Sequence, residues 1–302
     1  MMTFNEFAKA VKVMIEKKLK EVTVIANEVE KNNGLKLHGF TIQNGETNVA
    51  PCIYLDCYFE KHQLGEMDIA DAVDQIVKVY EEHRPIHDLD VSLFTDFSNA
   101  KDKVRGRLVN TRMNEELLEK IPHREFLDLS LIYCVEYTCE QKEGIASIRI
   151  TNDHISMWGV SEEELYQLVQ ENMQADDQSV IVSLAELVKG MLQIDDAEFE
   201  ESVDSANIAM YVLTNRSKLN GAVEIINDNT LRKFSDTLEK DFFILPSSTH
   251  EVIMVPAEND SDSRTFAEMV KEVNSTQVLP NEVLSNHVYK YERQSGKLLI
   301  AA

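Results

Sequence analysis

Residues 241–255 read DFFILPSSTHEVIMV, in which a polar bend separates two apolar runs. The first run occupies positions 242–245 and the second positions 252–255. Short continuous apolar runs bounded by turn signals are typical of strands that are buried on both faces of a sheet. The stretch therefore predicts two core strands, joined through the polar segment that begins at Pro246.

Working outward, helical periodicity is clearest at two places in the first third of the chain. Residues 4–19 carry apolar side chains at intervals of three and four, behind the capping sequence Thr3-x-x-Glu6. Residues 68–83 repeat that pattern and end before Pro85, because proline cannot continue a helix. We predict further helices at 114–121, 161–173, 221–226, 230–238 and 263–273.

Strands are predicted where apolar and polar residues alternate. They are expected at 22–26, 35–39, 50–59, 104–109, 127–137, 145–150, 208–213, 288–291 and 298–300. We therefore predict an α+β fold with two lobes, each a mostly antiparallel sheet with flanking helices, joined by an acidic helical connector.

The charge balance is the most unusual bulk property of the chain. Its 302 residues include 30 basic and 53 acidic ones, which gives a net charge of −23. A surface this negative repels nucleic-acid phosphates and anionic lipid headgroups. We therefore expect no direct nucleic-acid binding and no membrane association, and a basic protein surface is the partner that such a charge favours.

Half of this charge lies in one segment. Residues 159–210 hold 13 acidic residues and one basic residue, Lys189. We place the domain organisation accordingly: an N-terminal α+β lobe at 1–158, an acidic and largely helical connector at 159–207, and a C-terminal α+β lobe at 208–302. The densest acidic stretch is either a solvated face or a docking strip for a basic partner. Its residues are Asp195, Asp196, Glu198, Glu200 and Glu201.

Cysteine usage and the N-terminus indicate the compartment. The cysteines form two pairs with equal spacing, Cys52 with Cys57 and Cys134 with Cys139. Each pair lies in a segment that alternates like a strand, where side chains five apart point to opposite faces. Neither pair then closes a disulfide or chelates an ion, so we expect buried, reduced thiols and no metal site. With no secretory signal visible, this predicts a cytoplasmic protein.

The bend at 246–251 holds the strongest catalytic candidates, Ser247, Ser248, His250 and Glu251. A hydroxyl within hydrogen-bond reach of the imidazole, with an orienting acid, would make a nucleophile and base. The alternative is a polar turn whose hydroxyls satisfy backbone groups. The sequence has no G-x-S-x-G elbow, no H-E-x-x-H motif and no glycine-rich phosphate loop, so we predict no cofactor.

Three other polar clusters read as structural. The sequence Asn152-Asp153-His154 is typical of a helix start, and His83-Arg84-Pro85, followed by His87, is typical of a helix end. Arg105 and Arg107 share one face of a predicted strand. With Asp96 and Asp102 nearby in sequence, they are expected to form structural ion pairs.

Several stretches resemble one known family. They are 31–37 (KNNGLKL), 50–55 (APCIYL), 107–110 (RLVN), 150–153 (ITND), 210–215 (MYVLTN), 241–251, 273–278 (VNSTQV) and 284–289 (LSNHVY). Together they are similar to an uncharacterised bacterial domain-of-unknown-function family, the one numbered 5688. The resemblance implies a cytoplasmic protein of gut anaerobes and their mobile elements, and it carries no catalytic assignment.

These observations leave three hypotheses for function. The leading one is a non-enzymatic interaction or regulatory protein that binds a positively charged partner. The second is a hydrolase that uses Ser247 or Ser248 with His250. The third is a nucleic-acid mimic that acts in mobile-element conflict, which requires carboxylates spaced like duplex phosphates.

Overall fold

The structure, a computed structural model, describes residues 2–85, 88, 90–138, 145–192, 209–259 and 262–302. Contacts within the chain divide it into two compact units, Met1–Val91 and Ser92–Ala302. Both units combine helices with sheets, and every strand pairing in the described ranges is antiparallel. The predicted α+β class is confirmed.

The first unit is a three-stranded sheet with helices. Its elements are α1 (Phe4–Lys18), β1 (Thr23–Glu30), β2 (Lys36–Gln43), β3 (Cys52–Tyr54), α2 (Asp56–Gln63) and α3 (Ile69–His83). The sheet order is β1-β2-β3. The predicted capping box forms at α1, where the Thr3 side chain accepts from the Glu6 amide. The apolar faces of α1 and α3 pack with the sheet into one core that includes Phe7, Ile15, Phe40 and Ile76.

The second unit contains the remaining elements. The helices are α4 (Ser92–Thr95), α5 (Phe97–Ala100), α6 (Glu115–Leu118), α7 (Asn152–Trp158), α8 (Glu162–Asp176), α9 (Leu184–Leu192), α10 (Asp228–Leu238) and α11 (Asp262–Thr276). The strands are β4 (Val104–Asn110), β5 (His123–Phe126), β6 (Leu129–Thr138), β7 (Ile145–Arg149), β8 (Ser179–Ser183), β9 (Tyr211–Asn215), β10 (Phe242–Leu245), β11 (Val252–Pro256), β12 (Tyr289–Glu292) and β13 (Lys297–Ile300). A 3₁₀ helix, Gly221–Ile226, follows β9.

Two sheets are present in this unit. The larger has the order β13-β12-β10-β11-β9-β8, and in the smaller β6 pairs with β4, β5 and β7. All four residues of β10 are buried. Phe242 and Ile244 pack into a core shared with β6 and α8, whereas Phe243 and Leu245 pack against α11. The apolar run at 242–245 is therefore a strand buried on both faces, as its composition predicts.

The division of the chain differs from the one expected from charge. Residues before, within and after the predicted connector share one core: Leu131 precedes it, Val169 lies within it, and Met254 and Tyr289 follow it. The first part of the predicted connector is α8, β8 and α9, and β8 pairs with β9 as an edge strand of the large sheet. The two-lobe arrangement with a connector at 159–207 is not confirmed.

One predicted strand is wrong over half its length. The strand expected at 50–59 ends at Tyr54, and α2 begins at Asp56. Leu55, Tyr58 and Phe59 recur at helical spacing and contact the core of the first unit. Cys57 consequently lies exposed on α2 and Cys52 is half-buried on β3, so only Cys134 is the buried thiol that we expected. Cys139 lies outside the described residues.

In the described ranges, no helix combines the length and apolar content that a bilayer crossing requires.

Candidate functional site

A cavity of about 180 Å³ lies in the second unit, where β4, β6, α8 and the turn after β9 meet. Its polar lining includes Arg105, Glu136, Asp176, Asn215, Ser217 and Glu224. Pockets for drug-sized ligands usually measure about 300–1,000 Å³. The cavity is therefore sized for a small ligand or for the end of one side chain.

The wall on β4 is close-packed because Gly106 has no side chain. A Cβ at this position would lie 3.1 Å from Val169 of α8 and 3.4 Å from Val223 of the 3₁₀ helix. It would also lie 2.7 Å from Leu131. The absence of a side chain lets the helix and the 3₁₀ turn approach the strand closely.

Two arginines of β4 contribute the cations beside the cavity, and each is already paired. The Arg105 guanidinium lies 2.6 Å from the Asp176 carboxylate, and Arg107 lies 2.9 Å from Glu136. Arg107 also donates to the Ser147 hydroxyl at 2.7 Å. The expectation of structural ion pairs is confirmed, although the partners differ from Asp96 and Asp102.

Glu224 is the carboxyl group that stands out in the cavity wall. The residue is only 5% exposed, and its Oε2 accepts a hydrogen bond from the Ser179 hydroxyl at 2.5 Å. Burial raises the pKa of the Glu224 carboxyl, and the charge of Asp177 adds to the rise. Hydrogen bonds from Ser179 and Asn227 act in the opposite direction. No lysine or arginine in the described part of the chain forms an ion pair with it.

The turn between β9 and the 3₁₀ helix shapes the rim. The Asn215 side chain accepts from the Leu219 amide at 3.2 Å and donates to the Leu219 carbonyl at 2.8 Å. Lys218 and Asn220 adopt the left-handed conformation, with φ of 55° and 54°. Asparagine tolerates that region better than most residues, which suits Asn220 to the turn.

The imidazole of His250 lies behind this turn and bridges two segments. Its Nδ1 accepts a hydrogen bond from the Asn220 amide at 3.2 Å, which places the proton of the neutral ring on Nε2. Nε2 lies 3.4 Å from the Glu282 carboxylate. Both ring nitrogens are therefore engaged, and neither is free to take a proton from a hydroxyl.

Among the other candidates in the bend, Ser248 binds the backbone through its side chain. The Ser248 hydroxyl accepts from the amide of His250 at 3.0 Å. In the described residues no hydrogen bond joins the imidazole to Ser247, Ser248 or Glu251. The bend also pairs with a distant segment, since the Thr249 amide donates to the Glu282 carbonyl at 2.9 Å. This geometry fits a polar turn and lacks the nucleophile–base contact that a serine hydrolase needs.

The other polar clusters have local roles. Thr151, not Asn152, is the N-cap of α7, and the His154 Nδ1 accepts the Thr151 amide at 3.0 Å. His83 ends α3, as predicted, whereas His87 lies outside the described residues.

Burial raises the pKa of the Cys134 thiol to about 11, so this thiol is protonated at neutral pH.

The predicted docking strip, Asp195, Asp196, Glu198, Glu200 and Glu201, lies outside the described residues. Within them, no group of three or more His, Cys, Asp or Glu side chains is arranged to hold a metal ion.

Sequence reasoning missed two acidic residues that the structure makes important. The contact of Glu282 with His250 has no local sequence signal, because it joins two distant segments that meet at an isolated β-bridge between Ser248 and Val283. Glu224 had a local signal: it is the one charged residue in the apolar run GAVEII, and a carboxyl there is expected to be buried.

The fold and the cavity define an α+β protein with antiparallel sheets and a polar pocket between two of them. The sequence model of the family of unknown function DUF5688 matches residues 4–293, so the chain belongs to that family. The resemblance to this family is thus confirmed. No curated protein and no solved structure matches the chain.

Proposed function

We propose that this member of the family is a non-enzymatic interaction protein that binds a positively charged surface of a partner protein. The observation that carries the proposal is the net charge of −23. A potential of one sign over most of a surface steers oppositely charged partners and repels those of like charge. Nucleic-acid backbones and anionic membranes are therefore not its direct partners.

Helix α8 supports this proposal. It contains Glu162, Glu163, Glu164, Glu171 and Asp176 and has no lysine or arginine of its own. Arg124 binds Glu162 and Glu163, and Arg105 binds Asp176, whereas Glu171 is exposed. The acidic stretch at 195–201 follows in the same part of the sequence. We place the docking surface at this acidic stretch, 195–201.

We also propose that the protein acts in the cytoplasm. Cys52, Cys57 and Cys134 are all free thiols, and cysteines that stay unpaired suit a reducing compartment.

The geometry of His250 supports an interaction protein over a hydrolase, because its imidazole bridges the Asn220 amide and the Glu282 carboxylate.

A pull-down from bacterial lysate at graded salt tests the proposal. Partners held by charge should be retained at low salt and released as the Debye length falls from about 10 Å at 0.1 M to about 3 Å at 1 M. A docking variant replaces the five acids of the strip, Asp195, Asp196, Glu198, Glu200 and Glu201, by their amides. It should lose these partners at every salt concentration.

The matched control has the same net charge but an intact strip. It carries Gln at five exposed positions elsewhere: Glu116, Glu119, Glu171, Glu268 and Glu272. This control should retain most of the partners. If no partner is salt-sensitive, or if both variants lose partners equally, the proposed docking strip is wrong. Competition by duplex DNA for the same partner would instead support the nucleic-acid mimic.

A further inference from the structure

The cavity that Arg105, Asp176 and Glu224 line has a charge balance that points to a ligand. The cations at and beside its wall are Arg105 and Arg107, and the carboxylates are Glu136, Asp176 and Glu224. Arg105 pairs with Asp176, and Arg107 pairs with Glu136. Glu224 remains without a cation among the residues that the structure describes.

A buried carboxylate without a counter-charge is costly, because burial removes the water that would otherwise stabilise it. The Ser179 hydroxyl offsets part of this cost through one hydrogen bond. A cation inside the cavity would offset the rest and would gain strength from the low local dielectric. The arrangement is thus more than an acidic patch, since Glu224 is only 5% exposed and lines a half-open cavity.

The rest of the lining suits a small organic ligand. The Ser217 hydroxyl and the Asn220 side-chain amide can accept hydrogen bonds from N–H donors, whereas the Asn215 side-chain oxygen already accepts from the Leu219 amide and the Ser217 hydroxyl. Met173 and Val223 supply an apolar surface on which a short alkyl chain can pack. Pockets that bind small molecules generally combine apolar walls with a few placed polar groups.

We propose that this cavity binds a small organic cation, an alkylammonium or alkylguanidinium group, with the Glu224 carboxylate as its counter-charge. The alkyl part packs against Met173 and Val223. This inference does not depend on the acidic docking strip, which lies elsewhere in the sequence. The cation arrives either as a free small molecule or as the side chain of a lysine or arginine.

Calorimetric titration of the full chain with three probes of similar size tests the charge requirement. The probes are n-butylammonium, n-butanol and butyrate. We expect saturable binding of n-butylammonium alone. A fourth probe, Nα-acetyl-lysine amide, presents the same ammonium group on a peptide backbone. Binding of this probe through Glu224 indicates a side-chain source, and its exclusion while n-butylammonium binds indicates a free amine.

Two variants locate the site. Glu224→Gln keeps the size of the side chain and removes its charge, so we expect the Kd for n-butylammonium to rise about tenfold or more. Glu171→Gln makes the same change on the exposed face of α8 and should alter the Kd by less than about twofold. If Glu224→Gln does not fold, amide chemical shifts of the unaltered protein decide. With n-butylammonium the largest changes should fall at residues 215–224.

Several results would overturn the proposal. They are binding of n-butanol or butyrate as tight as that of n-butylammonium, equal effects of the two variants, and shift changes confined to residues outside the cavity. Absence of saturable binding up to about 10 mM would also overturn it, since the remaining affinity would be too weak for a built site. None of these results bears on the docking strip, which the salt-graded pull-down tests separately.

Discussion

Glu224 is the cavity residue whose titration is expected to link the stability of the fold to pH. Its carboxyl is buried beside Ser179, and burial holds its pKa above the ordinary value. An unfolded glutamate ionises near pH 4.3. The folded protein therefore binds this proton more tightly than the unfolded chain does, and the contribution to stability is present at low pH.

We predict that Glu224→Gln becomes progressively more stable relative to the unaltered protein as the pH rises. The glutamate loses its stabilising contribution as the pH rises above about 4.3 and through the raised folded pKa, whereas glutamine does not titrate. Urea denaturation across this range measures the difference. Glu171→Gln, on an exposed site, is the control and should show a nearly constant difference. If the free energy of unfolding of Glu224→Gln and that of the unaltered protein change in parallel with pH, the Glu224 carboxyl is not buried without a counter-charge.

Gly221 is a second residue whose substitution tests the geometry around the cavity. A Cβ there would lie 2.3 Å from the Thr214 hydroxyl oxygen, 2.6 Å from the Asn215 nitrogen and 2.7 Å from the His250 carbonyl oxygen. Two of these atoms are backbone and cannot move aside cheaply. We expect Gly221→Ala to lower the free energy of unfolding by about 1–3 kcal/mol or more.

Chemical denaturation of Gly221→Ala should be compared with that of Gly45→Ala. Gly45 has φ of 73° and no neighbour near the built Cβ, so its substitution introduces backbone strain alone. The Gly45→Ala control should lower the free energy of unfolding by about 1 kcal/mol. A Gly221→Ala variant as stable as the control would show that the three elements do not meet closely.

Residue identities predicted part of the candidate site and misplaced the rest. The density of hydroxyls around His250 suggested catalysis, yet the imidazole reaches Asn220 and Glu282, which are remote in sequence. Arg105 was recognised as an ion-pair residue, but its partner is Asp176 on another element. The type of a residue indicates which chemistry its side chain can perform. Which residue the side chain contacts depends on how distant segments of the chain pack.

At the scale of elements, local signals predicted most helices and the central strands. Helix α8 begins where its capping sequence indicates, with Ser161 accepting from the Glu164 amide at 3.3 Å and the Glu164 carboxylate accepting from the Ser161 amide at 2.7 Å. Such a reciprocal pair satisfies two backbone donors at the helix start. The acidic first turn also suits the positive end of the helix dipole.

We predict that Ser161→Ala lowers the free energy of unfolding by about 1 kcal/mol, because alanine cannot accept the hydrogen bond of the Glu164 amide. Ser161→Thr retains the hydroxyl and should stay close to the unaltered protein. Thermal or urea unfolding measures both. Equal stability of the alanine and threonine variants would show that the cap contributes nothing.

The elements that sequence reasoning missed share a physical cause. Strand β8 has the alternating sequence SVIVS, which indicates a strand, but the acidic residues around it suggested a solvated connector. The strand prediction at 50–59 extended into helix α2 because its first half, which includes Cys52 and Ile53, does form β3. The switch from strand to helical spacing of apolar residues after Leu55 covers too few residues to stand out. Short elements give few repeats of their period, so neighbouring patterns obscure them.

At the scale of the whole molecule, the sequence predicted the α+β class but not the division of the chain. Charge density suggested boundaries at 158 and 207, whereas contacts divide the chain between Val91 and Ser92. A high density of charged residues indicates which segments face solvent. A shared core, such as the one that joins Leu131 to Met254, depends on contacts between distant segments that local patterns do not encode.

The net charge of −23 leads to a prediction about the molecule as a whole. Like charges held at close distance destabilise the compact state, and salt screens their repulsion. We therefore expect the midpoint of thermal unfolding to rise when NaCl is increased from about 0.02 M to about 0.5 M, over which the Debye length falls severalfold.

Screening is distinguished from general salt effects by the five-residue control variant, in which Glu116, Glu119, Glu171, Glu268 and Glu272 become glutamine. This variant carries five fewer negative charges, all of them in the unit Ser92–Ala302. Repulsion between carboxylates in that unit is therefore weaker at low salt. It should unfold at a higher temperature than the unaltered protein in about 0.02 M NaCl, and the two should converge as salt is added. If the gap between them is independent of salt, repulsion among surface carboxylates does not limit the stability of this protein.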